Sequence, residues 1–210
     1  DNDRARDLAR DLALRFFLEK RRSPALRQLL KRYAVAELPA RLFAETAINR
    51  LTVTAPPDFA AILASQSAEI NRRFASVSPE LARNMTRMAE LARTGAGGKT
   101  AQAIAAALDS VPDAPDPDDP ADFAPFLEAC ARVASVQKPG RASDPAVVEL
   151  KELLAAFKDS LYPEFLSIAN YLLNRPVVEE TFSLLAEFQE RFNRKKKEAG
   201  ILTFADVSRL

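Results

Sequence analysis

Residues 176–197 read PVVEETFSLLAEFQERFNRKKK, and this stretch decides the fold. After Arg175, Pro176 stands where a helix starts, because the first helical position needs no N–H donor and the proline φ is already helical. Val178, Phe182, Leu185 and Phe192 recur at helical spacing along one side. Arg191, Arg194, Lys195, Lys196 and Lys197 gather at the far tip, where the negative end of the helix dipole favours cations. The pattern predicts the longest helix of the chain, and strand alternation is missing.

The same punctuation repeats outward from there. Leu8, Leu12 and Phe16, supported by Ala5, Ala9 and Ala13, predict an amphipathic helix over residues 3–21. Ser23-Pro24 reads as an N-cap with proline at the first helical position, opening a helix that carries Leu26, Leu29, Leu30 and Tyr33. A further helix is expected over 36–51, and Thr52-Val53-Thr54 fits extended backbone. Pro56-Pro57 restarts a helix through Phe59, Ile62, Leu63, Ile70 and Phe74, and Ser78-Pro79-Glu80 restarts another through Leu81, Met85, Met88 and Leu91. Helices follow at 99–108, 121–136 and from Asp144-Pro145, the last bearing Leu150, Leu153, Leu154, Phe157 and Leu161, with Pro163 as a kink.

These segments give an all-α fold, an irregular bundle of about eight to ten helices. Five glycines in 210 residues, none before Gly95, favour helix over sheet. Residues 111–120, VPDAPDPDDP, hold four prolines and four aspartates and predict an exposed loop without regular structure. The expected organisation is an N-terminal helical group at 1–110, the acidic loop at 111–120, a C-terminal helical group at 121–200, and a short start of a further element at 201–210.

Composition removes several chemistries. Histidine is absent, which excludes Ser-His-Asp and Cys-His catalysis and any histidine-ligated metal. The single cysteine, Cys130, lies on an apolar helical pattern and reads as a small buried hydrophobe. Carboxylate pairs such as Glu179-Glu180 and Asp118-Asp119 lack a partner set for a metal. The stretch from Arg93 to Thr100, RTGAGGKT, imitates a phosphate loop, but Arg93 occupies the place of the first glycine and a charged helical pattern precedes it instead of a strand. No catalytic residue, metal or cofactor site is expected in this chain. No run is apolar and long enough for a membrane span, and one cysteine fits a reducing cytoplasm.

The net charge is only +1, yet residues 1–34 hold ten Lys and Arg against five acids. Two clusters are candidates for contact with nucleic-acid phosphates, which need positive charge on one surface and no sequence code. The first is Lys20, Arg21, Arg22, Arg27, Lys31 and Arg32; the second is Arg191, Arg194, Lys195, Lys196 and Lys197. Stabilisation of a helix C-terminus accounts equally for Lys195 to Lys197. The phenylalanines recur at core spacing and read as packing.

The tail continues KKKEAGILTFADV, from Lys195 to Val207. This resembles the segment in the UvrD/Rep superfamily of ATP-driven DNA translocases, the RecB/AddA helicase-nucleases in particular, that returns from an inserted helical subdomain to the ATPase core. Gly200, Leu202, Phe204, Asp206 and Val207 stand at the matching positions. Thr203 and Ala205 depart from the pattern, where many family members carry aspartates. Read locally, the same residues are a helix stop at Gly200 and a new cap at Thr203 or Asp206. The resemblance implies an accessory subdomain, corresponding to 1B and its insertions, in a longer protein acting in DNA repair and recombination. It implies ATP and magnesium in the motor rather than in this chain. As partners it implies DNA, bound weakly and without sequence preference, the remaining helicase domains of the same chain, and a second subunit. The alternative is a stand-alone helical interaction module.

Overall fold

The structure is a computed structural model that describes residues 2–49, 51, 58–94, 98–140, 144–203 and 206. Its α-helices are α1 (Asn2–Lys20), α2 (Pro24–Leu29), α3 (Glu45–Ile48), α4 (Phe59–Arg93), α5 (Gly98–Leu108), α6 (Phe123–Ser135), α7 (Pro145–Ala156) and α8 (Tyr162–Glu198). Two π-helical turns, Ala40–Ala44 and Phe157–Leu161, and a 3-10 turn, Pro120–Asp122, join them. No strand occurs among the described residues, so the fold is all-α as expected. The expectations at Thr52 to Thr54, Pro56-Pro57, Gly95 to Gly97, Phe204 and Val207 lie outside the described residues.

The chain divides into two compact units, one of Asp1–Gln66 with Arg175–Leu210 and one of Ser67–Asn174. This division differs from one at the acidic loop, because residues 111–120 fall within the second unit. Composition marks loops, whereas compactness follows which helices share a core.

In the first unit the buried side of α1 is small: Ala5, Ala9 and Ala13, ending in Phe16 and Phe17. Leu8 and Leu12, expected at the centre of that face, are only partly buried. Phe16 packs edge-on against Phe43 at 5.0 Å and against Phe188 at 5.5 Å, and Phe188 stacks on Phe192. The buried stripe of the C-terminal part of α8 is Leu184, Phe188 and Phe192; of the expected residues Phe192 is in the core and Leu185 packs partly against it, whereas Val178 and Phe182 are only half-buried.

The second unit buries Leu81 and Met88 of α4, Ile104 of α5, Phe126 of α6, Leu150 of α7 and Phe165 of α8 in one core. Phe165 meets Phe126 at 5.1 Å and Phe74 at 5.9 Å. Asp144 caps α7 by accepting the Ala146 N–H at 2.9 Å, as Asp144-Pro145 predicted. The acidic loop is irregular, as expected, and its aspartates are exposed, but Pro115 is buried. Asp116 and Asp119 organise it locally, accepting the N–H groups of Asp118 and Ala121.

The prolines behave differently from their sequence reading. Ser78-Pro79 does not start a helix; Pro79 lies inside α4. An interior proline costs about 3 kcal/mol. Ile70, Phe74, Val77, Leu81, Met85 and Met88 lie on both sides of it and all pack on one core, at about 1.5–3 kcal/mol for each large side chain fully buried. Burial therefore outweighs the lost hydrogen bond. Pro176 is likewise interior to α8 rather than its start. Pro163 is accommodated by the π turn just before it, where the Tyr162 N–H reaches back to the Phe157 carbonyl.

Candidate nucleic-acid interface

The first basic cluster lies around the α1–α2 turn. Ser23 Oγ accepts the Leu26 N–H at 3.3 Å, and the Glu180 carboxylate of α8 accepts the Ala25 N–H at 2.8 Å. Glu180 thereby fills the N-terminus of α2, while Ala25 and Leu26 are buried beneath it. With that face fixed inward, Arg22, Arg27, Lys31 and Arg32 are exposed. None of these four makes a hydrogen bond or ion pair among the described residues. Arg21 donates to the Leu18 carbonyl at 3.1 Å, and Lys20 is held by Glu187 at 2.7 Å.

The second cluster is largely neutralised from within. Arg191 forms a fork on Glu19 at 2.6 and 2.9 Å, bonds Glu187 at 2.7 Å, and lies over the Phe16 ring at 5.1 Å. The Glu19 hydrogen bonds raise the Arg191 pKa, and reciprocally lower that of Glu19. Lys195 pairs with Glu198 at 2.6 Å, which holds that carboxyl below its usual range. Lys196 does not face solvent: its side chain is 8% exposed and its ammonium is bound to Asp206 at 2.7 Å. Lys196 is therefore corrected from a surface cation to a buried ion-pair partner. Arg194 and Lys197 are exposed.

The chain turns at this point by a Schellman motif. The Ile201 N–H bonds the Lys196 carbonyl at 2.9 Å and the Gly200 N–H bonds the Lys197 carbonyl at 3.0 Å. Gly200 has φ +64, the left-handed conformation in which glycine carries no Cβ penalty. Ile201 then drops into the first unit's core. Beyond it, Asp206 accepts the Thr203 N–H at 2.8 Å and its hydroxyl at 2.7 Å, while the Asp206 N–H returns to the Thr203 carbonyl. The carboxylate on the Thr203 N–H is one half of a capping box; the other half is replaced, because the Asp206 N–H is met by the Thr203 carbonyl and not by its hydroxyl. Burial pushes the Asp206 carboxyl up, but Lys196 and both Thr203 donors outweigh it and hold the pKa at about 2. Of the motif residues, Gly200 and Asp206 thus have local structural work, and Leu202 is exposed.

The remaining candidates have structural roles or none. Arg93 ends α4 and pairs with Asp109 at 2.6 Å, and Gly98 opens α5 with φ +58. A helix, not a strand, precedes this stretch. Cys130 is fully buried, and burial pushes its thiol up to about 12, far from a nucleophile's range. Among the described residues no group of three acids or cysteines is placed to hold a metal, and no helix is long and apolar enough to cross a membrane.

The spacing places Tyr33 on the apolar side of its helix, but α2 stops at Leu29 and Tyr33 is 41% exposed, next in sequence to the exposed Lys31 and Arg32. The neutralising acids were missed altogether, since Glu19 lies 172 residues from Arg191. The chain matches no family model, no curated protein and no solved structure.

Proposed function

We propose that this chain is the accessory helical subdomain, corresponding to 1B and its insertions, of a cytoplasmic UvrD/Rep-type and RecB/AddA-like DNA helicase-nuclease acting in repair and recombination. Its task is to hold or guide DNA while a motor outside this chain hydrolyses ATP with magnesium. The observation that carries this reading is the exposed set Arg22, Arg27, Lys31 and Arg32, unpaired among the described residues, in a chain whose overall charge is +1. Cations without internal partners are free to replace the counterions of a phosphate backbone. The Gly200 to Val207 resemblance supplies the family. The described cations lie on helices and their turns, where positive charge meets phosphates without any sequence code, which fits binding without sequence preference.

The test is fluorescence anisotropy of labelled duplex DNA against the chain over a salt series. Roughly three to five phosphate contacts give a log-affinity slope on log salt of about −3 to −4. Absence of binding at low salt sinks the DNA-contact role. The second reading, a protein-interaction module, draws on an apolar groove of the first unit lined by Phe59, Leu63, Phe182 and Ala186.

A further inference from the structure

We infer that the α2 corner binds single-stranded nucleic acid in preference to duplex, with Tyr33 as a stacking platform for one unpaired base and Arg27, Lys31 and Arg32 on the adjoining phosphates. The inference deepens the DNA-contact reading and rests on it. Four observations carry it. Tyr33 is 41% exposed, and the neighbouring Val35 is 62% exposed. The backbone that presents the ring is fixed, because the N–H groups of Lys31, Arg32 and Tyr33 bond the carbonyls of Gln28, Leu29 and Leu29 at 3.2, 3.0 and 3.0 Å. The tyrosine side chain makes no hydrogen bond or ring contact among the described residues. The flanking acids do not quench the corner: Glu19 is taken by Arg191, and Glu37 faces Arg41 at 3.9 Å.

Phosphates alone do not distinguish strands, and the four cations suit either form. The ring does. A duplex hides its base faces in the stack, so an exposed aromatic beside the backbone meets no π-face except at an end. A single strand offers phosphates and free base faces within a nucleotide's length. Tyr33 directly follows Lys31 and Arg32 in the chain, so its Cα lies within the roughly 7 Å of theirs that two residues can span. Stacking on an aromatic is sequence-tolerant because every base has a face, consistent with cations that read no sequence.

The experiment compares a short oligothymidylate with a blunt duplex of the same length, for wild type and for Tyr33→Ala, Tyr33→Leu, Tyr33→Phe and Arg27→Glu/Lys31→Glu. Circular dichroism confirms that each is folded. The expected result is tighter binding to oligothymidylate, a loss of about tenfold in Tyr33→Ala and Tyr33→Leu, the range of one stacked base, and recovery in Tyr33→Phe. The salt slope stays unchanged in the tyrosine variants and flattens in the charge reversal, and duplex affinity ignores Tyr33. If oligothymidylate affinity is indifferent to Tyr33 while duplex still binds, the inference falls and the phosphate-contact reading stands. If neither nucleic acid binds, both fall.

Discussion

The Lys196 ammonium and the Asp206 carboxylate meet at 2.7 and 2.8 Å across the turn that ends α8. Lys196 also lies 5.9 Å from the Phe192 ring centre, and its own carbonyl accepts the Ile201 N–H. One residue therefore ties the helix end, the reversal at Gly200 and the following turn together. A lysine in a run of three at a helix tip is ordinarily a solvated charge. Here the middle one is consumed by structure, which fixes the direction in which the chain leaves the helix.

Breaking this pair should destabilise the chain, and unequally. Asp206→Asn leaves the Lys196 ammonium buried without its counter-charge, the situation that costs about 3–5 kcal/mol when fully buried and about 2 kcal/mol with Asp206 partly exposed. Lys196→Met keeps its stem on Phe192 and leaves Asp206 with two Thr203 donors, so its loss should be smaller. The double variant should lie above the sum of the two. Urea unfolding measures all three, and equal losses that simply add would contradict a direct coupling.

The same pair sets an acid limit. Asp206 titrates at about 2 in the folded chain against 3.8 ordinarily. A depressed carboxylate contributes its full stability above pH 3.8 and loses it as pH falls toward 2. The contribution is about 1–2 kcal/mol, allowing for partial exposure. Stability of the wild type should fall between pH 4 and 2 more steeply than that of Asp206→Asn. Parallel curves would refute the assignment.

What the sequence revealed and what it hid separate along one line. Local chemistry was legible: Ser23 and Asp144 accept the N–H groups that their cap positions predict, and Gly200 ends its helix in the left-handed conformation. The competition between a local signal and a distant core was not. Pro79 and Pro176 look like helix starts because nothing nearby shows that the apolar stripes on either side bury continuously. The two basic clusters look alike in sequence, yet Glu19 and Glu187 are engaged by the second cluster and by Lys20, while Arg22, Arg27, Lys31 and Arg32 have no such partners among the described residues. Charge counting cannot see that difference, since the pairing depends on which helices pack together.

Pro79→Ala should stabilise the chain. Pro79 is exposed inside α4, so alanine meets no packing constraint there and restores an N–H to the helical ladder. An interior proline costs about 3 kcal/mol relative to alanine, part of which the helix has relaxed away, so a gain of about 1–2 kcal/mol is expected. Chemical denaturation reads it directly. A loss of stability would mean that the proline itself shapes the bend of α4.

The chain should neither retain nor hydrolyse ATP. Arg93 is paired with Asp109 where a phosphate loop needs a glycine, and α4 precedes it where a strand is needed. Equilibrium dialysis with labelled ATP and magnesium should give no retention. Turnover that disappears in Lys99→Ala would overturn this.

The two basic clusters should separate under charge reversal. Arg22→Glu, Arg27→Glu, Lys31→Glu and Arg32→Glu together remove four cations that have no partner among the described residues, so DNA affinity should collapse and the salt slope should approach zero while stability changes little, as expected of exposed sites. Lys195→Glu with Lys197→Glu removes one cation already paired with Glu198 and one exposed cation. Each phosphate contact is worth about 0.9 of slope on duplex, so this pair should flatten the slope by one contact or less. Anisotropy titrations over a salt series compare both sets with wild type. If the second set abolishes binding and the first does not, the interface belongs at the tip of α8, and the internal ion pairs of Arg191 and Lys195 must open to meet the DNA.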